Sequence, residues 1–199
     1  MHNPERSNTV ILKGDEDLRV IKTIEAIKKS FDELICEMEY EKITVKELCD
    51  RARINKKTFY HYYPTLDDLL CELQYEISSA YIDKIKDFKL PEEIKKVNRA
   101  FFEFSCAQGL VFEKITCSTG SYGYIRQQMI NRVTAETWGK SASFRKLDGF
   151  LQGVILEHVN FINVNIYRHW CADGKRIPVE KLIELSNTLT CDGLHGVIK

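Results

Sequence analysis

Apolar residues recur every three or four positions along nearly the whole chain, and this spacing restricts the possible folds more than any other feature. Such a period places apolar side chains on one face of an α-helix. Only four prolines and ten glycines interrupt the pattern in 199 residues. Apolar residues make up 44% of the chain, which is enough to bury a sizeable core. The sequence therefore predicts an all-α fold of about nine helices.

Capping signals indicate where the helices of the first half begin. Residues 44–47 and 65–68 each have the Thr-x-x-acid spacing of a capping box, in which a hydroxyl and a carboxylate each satisfy a backbone N–H group. Asn55 is a favourable N-cap for a short helix that Pro64 would end. Three acidic residues at 15–17 suit a helix N-terminus. These signals predict a long first helix, two short helices and a long fourth helix.

The second half of the chain begins again with Pro91, which is followed by two glutamates in the pattern of a helix start. Five further helices are predicted, over about residues 91–109, 110–117, 124–138, 150–170 and 178–191. Residues 118–123 are predicted to form a loop.

Charge is segregated within a chain whose formal net charge is zero. Lys42–Tyr63 holds six basic and two acidic residues, a local net charge of +4, whereas Asp32–Glu41 holds five acidic residues and no basic one. Two short helices joined by a tight turn form a helix-turn-helix, whose second helix lies in the major groove of DNA. The segment therefore indicates a DNA-facing surface. An ordinary helical hairpin with solvated lysines is the alternative interpretation.

The block from Leu18 to Leu73 resembles the DNA-binding domain of TetR-family transcriptional regulators. The resemblance is carried by Phe31, Leu34, Ile35, Tyr40, Ile43, Thr44, Val45, Leu48, Ala52, every residue from Ile54 to Tyr63, Asp68, Leu69 and Leu70. A second likeness, to a ligand-sensing branch of that family, is carried by the loop 118–123, Tyr167, Trp170, Gly174, Pro178, Glu180 and Leu182. The resemblance implies a DNA-binding domain at 15–75, with its helix-turn-helix at about 44–63, and a ligand-sensing and dimerisation domain at 76–199.

The resemblance also assigns roles within the helix-turn-helix. The residues expected to contact DNA are Thr44, Arg53, Asn55, Lys56, Lys57, Thr58, Tyr60 and His61. Thr44 would donate to a phosphate at a helix N-terminus, and the lysines would reach base edges or nearby phosphates. Phe59 and Tyr63 would be core residues, while Tyr62 could be either a core or a DNA-contacting residue.

Three positions depart from the family pattern. Arg53 stands where the turn glycine is usual, so either the turn is altered or this residue adopts a strained positive φ. Lys57 replaces a frequent glycine, and Leu66 replaces the lysine that usually opens the next helix. An alternative function therefore remains, in which the chain is a helical co-regulator that has weakened DNA binding and acts through a protein partner.

The resemblance further implies an effector pocket and a dimer. The expected pocket residues are Phe101, Phe104, Phe112, Met129, His158 and Phe161, each of which could also be an ordinary core or surface residue. The last two helices would pair across a two-fold axis, with contacts from Gly153, Val154, Leu182, Leu185 and Leu189. The expected partners are double-stranded DNA with a near-palindromic operator, an unidentified small-molecule effector and a second copy of the chain. Repression is the expected sign of regulation.

Other classes of protein find little support in the sequence. The seven cysteines form no C-x-x-C pair, and His169 and Cys171 are too close along one helix to face the same ligand, so no metal site or cofactor is expected. No nucleophile–base pattern or phosphate loop indicates an enzyme. Neither a signal peptide nor a membrane span is predicted, and we expect a cytoplasmic protein with free thiols.

Overall fold

Helices make up the regular structure of the protein, a computed structural model that describes residues 17–118 and 122–192. These residues contain no strand, and the predicted all-α fold is confirmed. The helices are α1 Leu18–Glu37, α2 Val45–Ala52, α3 Lys56–Tyr62, α4 Leu66–Ile85, α5 Ile94–Ala107, α6 Gly109–Cys117, α7 Gly123–Glu136, α8 Ala142–Arg145, α9 Gly149–Ala172 and α10 Val179–Cys191. Short 3-10 turns lie at Tyr40–Lys42 and Trp138–Lys140. The described residues thus hold one helix more than predicted, the four-residue α8, which Ser141 caps.

The predicted caps form the expected hydrogen bonds, except that the capping box at the start of α2 is incomplete. Thr65 and Asp68 form a complete capping box at the start of α4. At the start of α2 the Thr44 hydroxyl accepts from the N–H of Glu47, but the reciprocal bond is absent from the described part of the chain. The first helix begins at Leu18 with Asp17 as its N-cap; residues 15 and 16 lie outside the described ranges. Its first turn projects beyond the core, so Leu18 is exposed.

One continuous core joins the helix-turn-helix to the second half of the chain. Its largest cluster of buried residues extends from Ile27 in α1 to Ile183 in α10. Helix α4 passes from one half to the other, so the predicted boundary after residue 75 falls within a helix. Arg132 of α7 clamps α4, because its Nη1 donates to the carbonyl of Tyr75 at 2.8 Å and its guanidinium lies 3.7 Å from the centre of the Tyr75 ring.

A buried polar network joins α5, α9 and α10. The amide of Asn163 donates to the side-chain oxygen of Asn98 at 2.9 Å and accepts from the hydroxyl of Ser186. Asn98 in turn donates to the side-chain oxygen of Asn187 at 3.1 Å. Because buried polar groups are costly unless paired, these bonds fix the relative positions of the three helices.

An ionic cluster links α1 to α4. The ammonium of Lys28 lies 2.6 Å from a carboxylate oxygen of Glu72 and 2.6 Å from one of Glu76, and Glu72 is only 2% exposed. Asp32 lies on the same side of α1. Its partial burial, and next the negative charge of Glu76, raise the pKa of Asp32 from 3.8 to about 6.

Asp32→Asn is expected to raise the free energy of unfolding at pH 7 by about 1 kcal/mol, a value reduced for the solvent that reaches this half-buried group. An acid whose pKa is raised by folding binds its proton more tightly in the native state. Its destabilising effect is therefore absent below the unfolded value near 3.8 and grows as the pH rises through about 6. The gain should vanish near pH 4. Urea unfolding at both pH values measures it, with Glu25→Gln on the exposed face of α1 as the control; an equal gain at both pH values would contradict the assignment.

Candidate functional site

The turn between α2 and α3 has a tight left-handed geometry. Helix α2 ends at Arg53, whose φ of 55° and ψ of 43° lie in the left-handed region. Its N–H bonds back to the carbonyl of Asp50, and the N–H of Ile54 bonds to that of Cys49. The turn therefore keeps the conformation that glycine usually supplies, so of the two outcomes left open for this position, a strained arginine or an altered turn, the structure has the strained arginine.

The side chain of Asn55 starts α3. Its Oδ1 accepts from the backbone N–H of Thr58 at 2.8 Å and from the Thr58 hydroxyl at 3.1 Å. Both side chains are thereby held against the first turn of the helix. Asn55 keeps its amide N–H groups as donors towards a nucleic acid, while the hydroxyl of the half-buried Thr58 already has a partner.

Helix α3 has one buried and one exposed face. Phe59 is 0% exposed and its ring centre lies 5.9 Å from that of the buried Tyr63. On the other face Lys56, Lys57 and His61 are exposed, and Tyr60 is 53% exposed. Tyr62, for which the sequence left two roles open, is half-buried and packs against the core. The two aromatic anchors hold a short helix whose outer face is basic and aromatic.

Thr44 lies at the N-terminus of α2 with its side chain exposed. Because its hydroxyl oxygen accepts the N–H of Glu47 at 3.2 Å, its hydroxyl hydrogen remains available for donation to a phosphate. The helix N-terminus favours an anion at the same point.

Arg51 does not contribute to the basic surface that its sequence position suggested. Its two Nη atoms each lie 2.7 Å from a carboxylate oxygen of Glu37 in α1. The hydrogen bond from Arg51 lowers the pKa of Glu37. The basic residues of the segment that remain exposed are Lys42, Lys46, Arg53, Lys56 and Lys57, and none of them has an ion-pair partner among the described residues.

Leu66 fills the position where a lysine is usual, at the start of α4. Its side chain is half-buried and packs against the main core cluster. At this position, where the family pattern has a lysine, the chain therefore has an apolar contact with its own core.

Arg53→Gly is expected to be about 1 kcal/mol more stable than Arg53→Ala, since only glycine relieves the left-handed strain. Both variants lose the same charge, so charge cannot account for a difference between them. Thermal unfolding of the two variants therefore measures the backbone strain alone. Equal stability of the pair would contradict the strained turn.

The second half of the chain contains a partly open cavity of about 100 Å³ between α4, α5, α6, α7 and α9. Phe101, Phe104, Phe112 and Met129, four of the six residues predicted to line a pocket, form part of its wall. His158 and Phe161 do not reach it. They lie on the outer side of α9, opposite the buried Val159 and Asn163, and Phe161 is 70% exposed. These two residues line instead an open groove between α7 and α9.

Arg126 was missed by the sequence analysis and is the single charged residue in the described wall of the cavity. Its Nη1 donates to the carbonyls of Thr116 at 3.2 Å and Ser118 at 2.9 Å, at the C-terminus of α6. Burial, and next the charge of Arg168, lower its pKa. A signal was present, because Arg126 shares a helical face with Met129, Ile130 and Val133.

The predicted dimer contacts fall into three groups by exposure. Gly153 and Val154 are exposed on α9, on the same side as Phe161. Leu182, in contrast, is 2% exposed inside the chain's own core, where α10 packs on α5 and α9, so its side chain is not available to a second copy. Leu185 and Leu189 are half-buried.

Two further negative observations concern residues 17–118 and 122–192. No three histidine, cysteine or acidic side chains there come together as metal ligands. None of the helices in these ranges combines the length and the apolar composition that crossing a bilayer requires.

Solved structures share this arrangement along most of the chain. A TetR transcriptional regulator from Streptococcus agalactiae 2603V is 19% identical with a TM-score of 0.63, over 86% of this chain and 95% of that one. The fatty acid degradation regulator FadR from Bacillus halodurans is 16% identical with a TM-score of 0.59, over 88% and 95%. A TetR-family transcriptional regulator from Streptomyces coelicolor is 17% identical with a TM-score of 0.58, over 88% and 80%.

No model of a known protein family matches the sequence, and no curated protein matches it significantly. At this level of identity the solved structures show a common fold. The chain has the fold of TetR-family regulators, which confirms the resemblance in the sequence at the level of the fold.

Proposed function

We propose that this chain is a DNA-binding transcriptional regulator that acts as a homodimer and responds to a small-molecule effector. The observation that carries the proposal is the exposed face of α3, where Lys56, Lys57, Tyr60 and His61 stand on a helix anchored by Phe59. A short helix of this kind, preceded by a capped helix and a tight turn, fits the major groove. The solved structures of the same fold are transcriptional regulators, which supports the proposal.

Titration with the DNA upstream of the chain's own gene tests the proposal, with fluorescence anisotropy as the readout. Specific binding should exceed binding to a scrambled duplex of equal length, and it should weaken as salt rises because phosphate contacts release counterions. Absence of salt-sensitive binding would contradict DNA binding by the chain alone. A requirement for a second protein would instead support a co-regulator.

The homodimer is supported by an apolar stripe on α9. Phe150, Val154 and Phe161 are large, exposed and on one side of the helix. An exposed apolar surface of this kind usually marks an interaction site. A pair of chains related by a two-fold axis would present two copies of α3 to a near-palindromic operator. Sedimentation of the wild type and of Val154→Glu tests this pairing; wild-type protein that stays monomeric at the concentrations that bind DNA would contradict it.

The effector response is supported by the way the cavity meets the DNA-binding half. Helix α4 lines the cavity through Ile77 and Tyr81, and its earlier residues Leu69 and Leu70 belong to the same buried cluster as Phe59 of α3. Helix α6 lines the cavity through Phe112 and also packs on α1. A ligand that enlarged the cavity would shift these helices, and with them the separation of the two α3 helices in a dimer. Ligand binding would thus change the population that is able to bind DNA.

A further inference from the structure

The cavity of the second half lies on the inner side of α9. Val159 and Asn163, two residues of its wall, are buried within the chain, whereas Val154 and Phe161 are exposed on the opposite side of the helix. A second copy of the chain that packs on the exposed side therefore leaves the interior of the cavity unoccupied. Its wall is a property of one chain, whatever covers the outer face of α9.

Aromatic and aliphatic side chains form most of the cavity wall. The rings of Phe101, Phe104 and Phe112 line it, together with the flexible thioether of Met129. The rings of Phe104 and Phe112 meet edge to face with their centres 5.9 Å apart, so the wall presents both ring faces and ring edges to a guest. Apolar cavities of about 150 Å³ stay dry and hold benzene. At about 100 Å³, this cavity suits a guest of one ring rather than a fused ring system.

The polar groups of the interior already have partners. The hydroxyls of Ser78 and Thr137 each donate to a backbone carbonyl one turn earlier, at 2.8 and 2.7 Å, and the amide of Asn163 belongs to the network of α5, α9 and α10. Within the described wall, no buried side-chain nitrogen or oxygen lacks a hydrogen-bond partner. Thr134 and Asn160 are half-buried where the cavity adjoins the groove. A polar group of a ligand would therefore be buried in the interior without compensation, which is costly.

The charge on the wall also has an electrostatic partner. Arg126 donates from Nη1 to two carbonyls at the C-terminus of α6, at 3.2 and 2.9 Å. A helix C-terminus carries partial negative charge, so it stabilises the guanidinium group. The described residues of the wall include no aspartate or glutamate. A cationic ligand would thus find no carboxylate, and an anionic ligand would compete with the α6 carbonyls for Arg126 after losing its own hydration.

We infer that the cavity binds a neutral apolar molecule of about the size of one aromatic ring, held by the phenylalanine rings and Met129 without a charged contact. The inference rests on the proposed function, because it names the chemical class of the effector. Binding requires no DNA, so it can be measured on the protein alone.

Two pairs of ligands with similar shapes and different charges test the inference. Nitrobenzene and benzoate form the first pair, and ethylbenzene and benzylammonium form the second. Isothermal titration and the ligand-dependent rise in Tm measure their binding without DNA. Each neutral ligand should bind at least about tenfold more tightly than its charged counterpart, because burial leaves the charge uncompensated. Equal affinities within either pair, tighter binding of a charged ligand, or no binding of either neutral ligand at millimolar concentration would overturn the inference.

The methionine side chains report where the ligand binds. Met129 lines the cavity, whereas Met38 follows the last residue of α1 in the other half of the chain. In protein labelled with ¹³C at the methionine methyl groups, the ring of nitrobenzene should shift the signal of Met129 and leave that of Met38 in place. The spectrum of Met129→Leu assigns the signal. Equal shifts of the two signals, or a shift of Met38 alone, would place the ligand elsewhere and overturn the inference.

Val133 is the position at which the cavity can be narrowed. Val133→Phe should weaken nitrobenzene and ethylbenzene about tenfold or more, because the larger ring takes the space of the guest. Val133→Leu adds a single methylene, so it disturbs the fold less and should weaken both ligands by a smaller factor. Val20→Leu, at a half-buried position in the first turn of α1, is the matched control and should leave both affinities unchanged. A folded Val133 variant with wild-type affinity would contradict binding in the cavity.

The two proposals fail separately. If nitrobenzene binds beside Met129 and DNA affinity does not change, the ligand site is supported and the effector response is contradicted. If DNA binding is intact and the charged ligands bind as tightly as the neutral ones, the inference is overturned while the regulator stands.

Discussion

Replacing Lys56 and Lys57 together by alanine is expected to lower the affinity for operator DNA about a hundredfold, since each loss of a hydrogen bond from a charged group is worth roughly a factor of ten or more. Both side chains are exposed at the first turn of α3. If both contact phosphates, the slope of log affinity against log salt should also become shallower by about two. Anisotropy titrations between low and physiological salt measure both quantities.

The matched control replaces Lys84 and Lys95 by alanine. Lys84 is exposed on α4, and Lys95 is exposed on α5. This control removes the same charge from the chain as a whole. Its affinity and salt slope should stay within a factor of two or three of the wild type, as expected for surface residues remote from the DNA. A similar loss in both double variants would mean that net charge, rather than the face of α3, determines binding.

Phe59→Ala is expected to lower the free energy of unfolding by about 3–5 kcal/mol, the usual cost of removing a fully buried aromatic ring. Phe59 is completely buried between α3 and the rest of the helix-turn-helix core. Since natural domains are stable by only about 5–15 kcal/mol, this single change approaches the stability of the whole chain. Urea unfolding followed by circular dichroism measures the effect.

Tyr60→Ala, at the next residue of α3, is the control for the loss of stability in Phe59→Ala. Tyr60 is half exposed, so its removal should change the free energy of unfolding by less than about 1 kcal/mol. It should nevertheless weaken DNA binding, because its hydroxyl lies on the exposed face with the lysines. A large loss of stability in Tyr60→Ala, or a small one in Phe59→Ala, would contradict the assignment of the two faces.

The local features of the helix-turn-helix could be predicted because their causes are local. The caps Asn55 and Thr65 act within three residues of themselves. The alternation of Phe59 and Tyr63 with exposed lysines follows from the helical period. Even the strain at Arg53 follows from the conformation that this turn requires. The four-residue helix α8 escaped prediction because a single turn is too short to display a period.

The features that depend on tertiary contacts could not be predicted. Arg51 and Glu37 are fourteen residues apart, and only the packing of α2 on α1 joins them. The period of α10 shows that Leu182 faces an apolar surface, but not that the surface belongs to the same chain. Arg126 and Arg168 come together only because α7 and α9 border one groove. The aromatic wall of the cavity was predicted in part, through Phe101, Phe104, Phe112 and Met129, whereas its arginine emerged only from the structure.

Selection of binding sites from random duplex DNA tests the central claim most directly. The wild-type protein should enrich a near-palindromic sequence whose half-sites lie about one helical turn apart, roughly 34–36 Å, or somewhat more. Two chains should bind each duplex. The double variant Lys56→Ala, Lys57→Ala should enrich no sequence under the same conditions. If the wild-type protein enriches no sequence, or if the variant enriches the same sequence equally well, α3 is not the recognition helix of a DNA-binding regulator.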